Sequence, residues 1–266
     1  MKQRVLGGFL IVAIFLPFLI IGDFYFSVFM ALLSAVALYE LLSVRESKKK
    51  FPFILKVFAY ALTIYFCLYN TGAIDFYNKF DYHVMAFIIF IFLSPMVFIG
   101  DNKKYNLNDA LFLIGSVLFI GLSFNLLTIT RNYDFWYIFY LLLITTITDT
   151  FAFFTGKLVG KHKLCPNISP KKTIEGLIGG VFMGTFVATA LYITVIDSNA
   201  SLPFVILITA VLCLCGQLGD LVFSSIKRYY GMKDFSGIIL GHGGILDRFD
   251  SLIFVALAFS ILFEML

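Results

Sequence analysis

The sequence predicts an all-α protein that crosses a membrane about nine times, and three observations predict it. Of 266 residues, 61% are hydrophobic and only 14% charged, whereas a soluble domain is about half apolar and a quarter charged. The apolar residues fall in long runs almost without charge, and a run of about 18 or more reads as a helical bilayer span. Lys and Arg gather in alternate connections between those runs, the asymmetry that orients membrane helices.

Taken in order, spans are expected near Val5–Ile21, Phe24–Leu42, Phe51–Tyr69, Val84–Ile99, Leu111–Ile129, Phe135–Phe154, Leu177–Ile196, Leu202–Phe223 and Ser251–Phe263. Barrel strands would alternate in polarity, and these runs do not. The first run follows Lys2 and Arg4 as a signal peptide would. Its bulky end, Phe18 to Ile21, offers no small-residue cleavage site, so an uncleaved span is expected. Eighteen of the 20 Lys and Arg residues fall on one side, leaving Lys79 and Arg131 opposite. The expected orientation has the N-terminus in the cytoplasm and the C-terminus outside, in a multi-pass protein of the inner (cytoplasmic) membrane.

This composition excludes a soluble α/β enzyme, a disordered tail and a nucleic-acid-binding domain. Cys67, Cys165, Cys213 and Cys215 form no CxxC and read as small hydrophobes rather than a disulfide framework. Residues 1–134 read as a transmembrane scaffold. Residues 135–266 read as the catalytic region, because its cytoplasmic loops 155–176 and 224–250 carry His162, His242, most of the glycines outside spans, and acids mixed with bases.

Three acids lie within expected spans near their cytoplasmic ends: Glu40, Asp149 and Asp220. Glu40 reads as a solvated helix end. Asp220 shares one helical face with Gln217, Ser224 and Lys227, and such a polar stripe faces a cavity holding water or ligand. Further on, Gly243 and Gly244 permit close backbone approach. A helix starting near Ile245 would turn its free N–H groups toward a phosphate, with Asp247 and Asp250 together on one face. His242, between glycines, is placed to donate to a phosphate oxygen, and neither it nor His162 has a partner at zinc-ligand spacing.

The run Ser169-Pro170-Lys171-Lys172-Thr173 has the form of a helix start, with Ser169 as N-cap and Pro170 at the first helical position. Lys171 and Lys172 would then oppose the helix dipole, a conflict that a bound anion relieves. Beside so many cations, Asp220, Asp247 and Asp250 suit Mg²⁺, which takes one or two carboxylates and keeps phosphates and water as its other ligands. These parts describe a phosphoryl- or nucleotidyl-transfer site at the cytoplasmic membrane face.

The stretch Ser224-Ser225-Ile226-Lys227-Arg228, then Lys233-Asp234-Phe235-Ser236, then His242-Gly243-Gly244-Ile245-Leu246-Asp247-Arg248-Phe249-Asp250 resembles the motif of the phosphatidate cytidylyltransferase (CDP-diacylglycerol synthase) family. Gly219-Asp220-Leu221, Asp149-Thr150 and the run from Gly160 through Gly176 are similar to it as well. The resemblance implies a polytopic homodimer that makes CDP-diacylglycerol and pyrophosphate from CTP and phosphatidate, with Mg²⁺ and a monovalent cation such as K⁺. It implies catalytic roles for Asp220, Lys227, Arg228, His242, Asp247, Arg248 and Asp250. Ser169, Lys171, Lys172, Thr173, Ser224, Gly243 and Gly244 would bind substrate, and Asp220, Asp247 and Asp250 would hold metal.

Two positions depart from the family: Leu240 stands where Pro is usual, and Phe223 where Glu is common. Both are expected to tune the site. The competing readings are another membrane CTP-using lipid enzyme, such as a CDP-archaeol-type synthase or a polyprenol or dolichol kinase, and a cation-coupled transporter. The transporter would place its acids near the bilayer midplane.

Overall fold

The computed structural model describes residues 2–69, 71, 82–197, 199–239, 241 and 243–263. His242, Leu240 and Lys79 lie outside the described residues. The helices are α1 (Lys2–Ile21), α2 (Asp23–Glu46), α3 (Phe53–Leu68), α4 (Tyr82–Leu93), α5 (Pro95–Ile99), α6 (Leu107–Tyr133), α7 (Phe135–Val159), α8 (Ile174–Leu191), α9 (Leu202–Tyr229) and α10 (Leu246–Leu262). A π-helical turn, Tyr192–Ile196, extends α8, and two short strands, β1 (Lys163–Cys165) and β2 (Ser169–Thr173), precede it. Each apolar run read from the sequence is mainly helical among the described residues, Val84–Ile99 being divided at Ser94 between α4 and α5. Among the described residues six are long and apolar enough to cross a membrane: Asp23–Glu46, Tyr82–Ile99, Leu107–Tyr133, Phe135–Val159, Ile174–Ile196 and Leu202–Tyr229. The protein is therefore an all-α membrane protein carrying one small hairpin.

Two compact units divide the chain. The first comprises Met1–Tyr133 together with Phe235–Leu246, and the second Asp134–Asp234 together with Asp247–Leu266. The glycine-rich loop thus clusters with the N-terminal helices.

Within the first unit α6 packs on α2 and α3. Four of its hydroxyl side chains are satisfied within the helix, as apolar surroundings favour. The hydroxyls of Ser116, Ser123, Thr128 and Thr130 each donate to the carbonyl one turn earlier, at 2.6–2.8 Å. Asn125 Nδ2 donates to the carbonyls of Cys67 at 3.0 Å and Tyr69 at 2.7 Å, closing the end of α3. Arg131 does the same for α1 through the carbonyls of Leu19 and Ile20. Buried Asp109 pairs with Arg45 at 2.9 Å and with Lys49.

The second unit is built on close contact between α7 and α8. Gly176, Gly180 and Gly184 recur every four residues, so they form one stripe along α8. A Cβ at Gly180 would meet the Thr148 carbonyl at 2.6 Å and the Ala152 Cβ at 2.8 Å, and one at Gly176 the Ala152 carbonyl at 2.7 Å. Small residues at this spacing let membrane helices approach backbone to backbone, where dispersion can act. Tyr140 and Thr209 share a hydroxyl hydrogen bond of 2.7 Å between α7 and α9. α10 presses equally hard on α9: a Cβ at Gly219 would lie 2.7 Å from the Asp250 carbonyl. That approach brings the neighbourhood of Asp220 to that of Asp250.

Candidate active site

The polar stripe expected on α9 is present and engaged. Gln217 is buried; its Nε2 donates to Asp149 Oδ1 at 2.7 Å and its Oε1 accepts from Lys172 Nζ at 3.1 Å. The same ammonium pairs with Asp220 Oδ2 at 2.5 Å, and Ser224 Oγ donates to Asp220 Oδ1 at 3.3 Å. One helical turn on, Lys227 pairs with Asp247 Oδ1 at 2.6 Å, with side chains only 10% and 5% exposed. Asp250 lies within electrostatic reach of Asp149, Asp220 and Lys227. Asp149 and Gln217, noted in the sequence but given no site role there, thereby join the candidate site. Arg228 turns elsewhere: its guanidinium donates to the carbonyls of Ile168 at 3.3 Å and Met232 at 2.9 Å, tying the end of α9 to the hairpin turn. Arg248 is exposed at the start of α10.

Ser169 and Pro170 do not start a helix. Residues Ser169–Thr173 form β2, which pairs antiparallel with β1 in the register Lys163 with Thr173 and Cys165 with Ser169. The helix begins at Ile174, and its N-cap is Thr173, extended at φ −125° and ψ 155°, whose Oγ1 accepts from Gly176 N at 3.1 Å. Glu175 in the first turn accepts from the backbone N–H groups of Lys161 at 3.1 Å and His162 at 3.2 Å, and bonds His162 Nδ1 at 2.6 Å. The acid complements the dipole, so the supposed conflict between two lysines and a helix start does not exist. The strand supplies a different logic. Alternate residues point to opposite faces, which sends Lys172 in to Asp220 and leaves Lys171 exposed.

The start of α10 corrects two further expectations. Glu40 is not a solvated helix end but is 0% exposed. Its carboxylate accepts from Ile245 N and Leu246 N, both at 2.8 Å, and from Ser236 Oγ at 2.6 Å. The N–H groups expected to face a phosphate are therefore already taken by an anion of the chain itself. Gly243 has φ +80°, a conformation open to glycine without strain, and its carbonyl accepts from Ile239 N at 2.9 Å to close the loop. A Cβ at Gly244 would fall 2.5 Å from Glu40 Oε2. No local signal marks Glu40, because its partners lie about two hundred residues away in the chain.

Phe223 is fully buried, with its ring edge-on to Phe254 at 6.3 Å between centroids. A glutamate would be out of place against that apolar contact. Around Asp149, Asp220, Asp247 and Asp250 stand two ammonium groups, Lys172 and Lys227, so these six side chains together carry a net negative charge when all are ionised. An all-oxygen donor set of that charge suits a hard divalent cation. Among the described residues no three of these carboxylates stand at metal-ligating spacing, a number Mg²⁺ does not need.

A sequence model of the cytidylyltransferase family matches residues 2–266. The chain is 39% identical over 263 residues to the phosphatidate cytidylyltransferase of Staphylococcus haemolyticus, covering 98% of both chains. It is 38% identical, with the same coverage, to the phosphatidate cytidylyltransferases of Staphylococcus saprophyticus and Staphylococcus aureus.

Proposed function

We infer the reaction from a plain premise: this chain belongs to the cytidylyltransferase family. It transfers the cytidylyl group of CTP to phosphatidate, giving CDP-diacylglycerol and pyrophosphate. The observation that carries the reading is the meeting of Lys172 with Asp220, and of Lys227 with Asp247, residues far apart in sequence and all within the resembling motifs.

Phosphatidate is largely ionised at neutral pH, so its phosphate oxygen attacks the α-phosphorus of CTP without a general base. One oxygen–phosphorus bond forms, the bond to the β-phosphate oxygen breaks, and pyrophosphate leaves with its electron pair. The obstacle is repulsion between anions, and fixed cations lower it. Lys172 and Lys227 are held ready by carboxylates and can pass their charge to incoming phosphates; Lys171 and Arg248 are exposed beside them. Magnesium, held by one or two carboxylates from among Asp220, Asp247 and Asp250, would supply further shielding of the phosphates, with a monovalent cation such as K⁺ as a second ion. His242, Arg228, Ser169, Thr173, Gly243 and Gly244 complete the proposed site, the last four by shaping it. For Thr173 the support is its cap on α8, and for Arg228 its hold on the hairpin.

The protein is proposed to work as a homodimer with nine crossings in the inner (cytoplasmic) membrane, N-terminus inside, and with its site at the cytoplasmic face. Purified protein given α-labelled CTP and a panel of lipid phosphates should convert phosphatidate to a labelled CDP-lipid in the presence of Mg²⁺. Label moving only from the γ-phosphate to a polyprenol, or preference for an archaeal-type lipid phosphate, would replace this reading.

A further inference from the structure

We propose that Glu40 is a positioning residue for the reaction, acting through the loop 235–246; the proposal rests on the function inferred above. The chain there is rich in glycine. It contains Gly237, Gly241, Gly243 and Gly244, and such a segment has more backbone freedom to lose than any other. Glu40 holds it at three points: Ser236 at one end, and Ile245 N and Leu246 N at the other. A single carboxylate thus ties both ends of the loop to α2.

The form of the clamp shows why glutamate is needed. Both oxygens accept from backbone N–H groups, so an amide, with one NH₂ in place of an acceptor, would set donor against donor. The negative charge sits at the N-terminus of α10, where the dipole favours it. Gly244 leaves room for the carboxylate, since any Cβ there would strike it. Leu246 leads directly into Asp247, and Asp250 follows within one turn. Clamping Ile245 and Leu246 fixes the point at which the helix bearing those acids begins.

The test uses the full-length protein in detergent or nanodiscs, with turnover expressed per folded, monodisperse molecule. Glu40→Gln should lower kcat about tenfold to a hundredfold, the size of a lost charge-assisted hydrogen bond, while KM for CTP changes little. Gly244→Ala should lower kcat similarly. Glu40→Asp, whose carboxylate is withdrawn by one methylene, should partly rescue Gly244→Ala, so the double variant turns over faster than Gly244→Ala alone. A residue that only stabilises the fold would reduce melting temperature and yield but leave kcat per folded molecule unchanged. That outcome, or strictly additive effects of the two substitutions, would overturn the proposal. Wild-type turnover in the same assay separates the premises. An inactive wild type refutes the proposed reaction, whereas an active wild type with unaltered Glu40→Gln refutes the clamp alone.

Discussion

Lys227 shows how much a single charge can matter in this site. Its ammonium and the Asp247 carboxylate are both nearly enclosed and 2.6 Å apart. Removing one partner of a buried pair strands the other and costs roughly 3–5 kcal/mol, whereas replacing both by apolar groups is often neutral. Lys227→Met should therefore lower both melting temperature and turnover sharply. Lys227→Met with Asp247→Leu should regain much of the thermal stability and none of the turnover, because stability needs only compensation while catalysis needs the charges. Thermal unfolding and cytidylyl transfer measured on both variants check this. Recovery of activity in the double variant would remove the pair from the mechanism. The stripe from Gln217 to Lys227 was legible because helical periodicity alone puts those residues on one face. Glu40 was not, because an acid at the end of an apolar run looks alike whether it meets water or a loop from the far end of the chain.

At the level of elements, the hairpin and the start of α8 deliver Lys172 to Asp220. Ser169-Pro170 misled because it carries the N-cap and first-position signals of a helix. Pro is equally at home near the start of a strand, and β1 supplies a partner that composition does not announce. The true signal lay four residues on, in Thr173-Ile174-Glu175, a capping side chain followed by an acid in the first turn. Thr173→Val keeps the β-branched shape and removes the cap, so α8 should lose about 1 kcal/mol; Thr173→Ser should retain it. If the cap also sets the register of β2, Thr173→Val will weaken phosphate binding through Lys172 and raise KM for CTP more than it lowers the melting temperature. Equal behaviour of Val and Ser in both measurements would leave Thr173 without this role. The stripe Gly176, Gly180 and Gly184 was available to the eye as a four-residue repeat of small residues. What it packs against, Thr148 and Ala152, was not.

For the whole molecule, hydropathy locates the helices because lipid leaves the backbone no alternative to satisfying itself, while charge must decide which way they face. From Leu202 to Asp220 along α9 the rise is about 27 Å at 1.5 Å per residue, close to the ~30 Å of a hydrocarbon core. Ser201 and Asp220 thus belong near opposite surfaces, and only one of those surfaces has CTP. The excess of Lys and Arg is the ground for the proposal that the Asp220 side faces the cytoplasm. In a chain with Cys67, Cys165, Cys213 and Cys215 replaced, Ser201→Cys in intact cells should react with an impermeant thiol reagent. Lys103→Cys, exposed in the connection before α6, should react only after permeabilisation. The reverse pattern would put Lys172, Asp220 and Lys227 on the side without nucleotide, and no arrangement of charges there could then serve a CTP-dependent reaction.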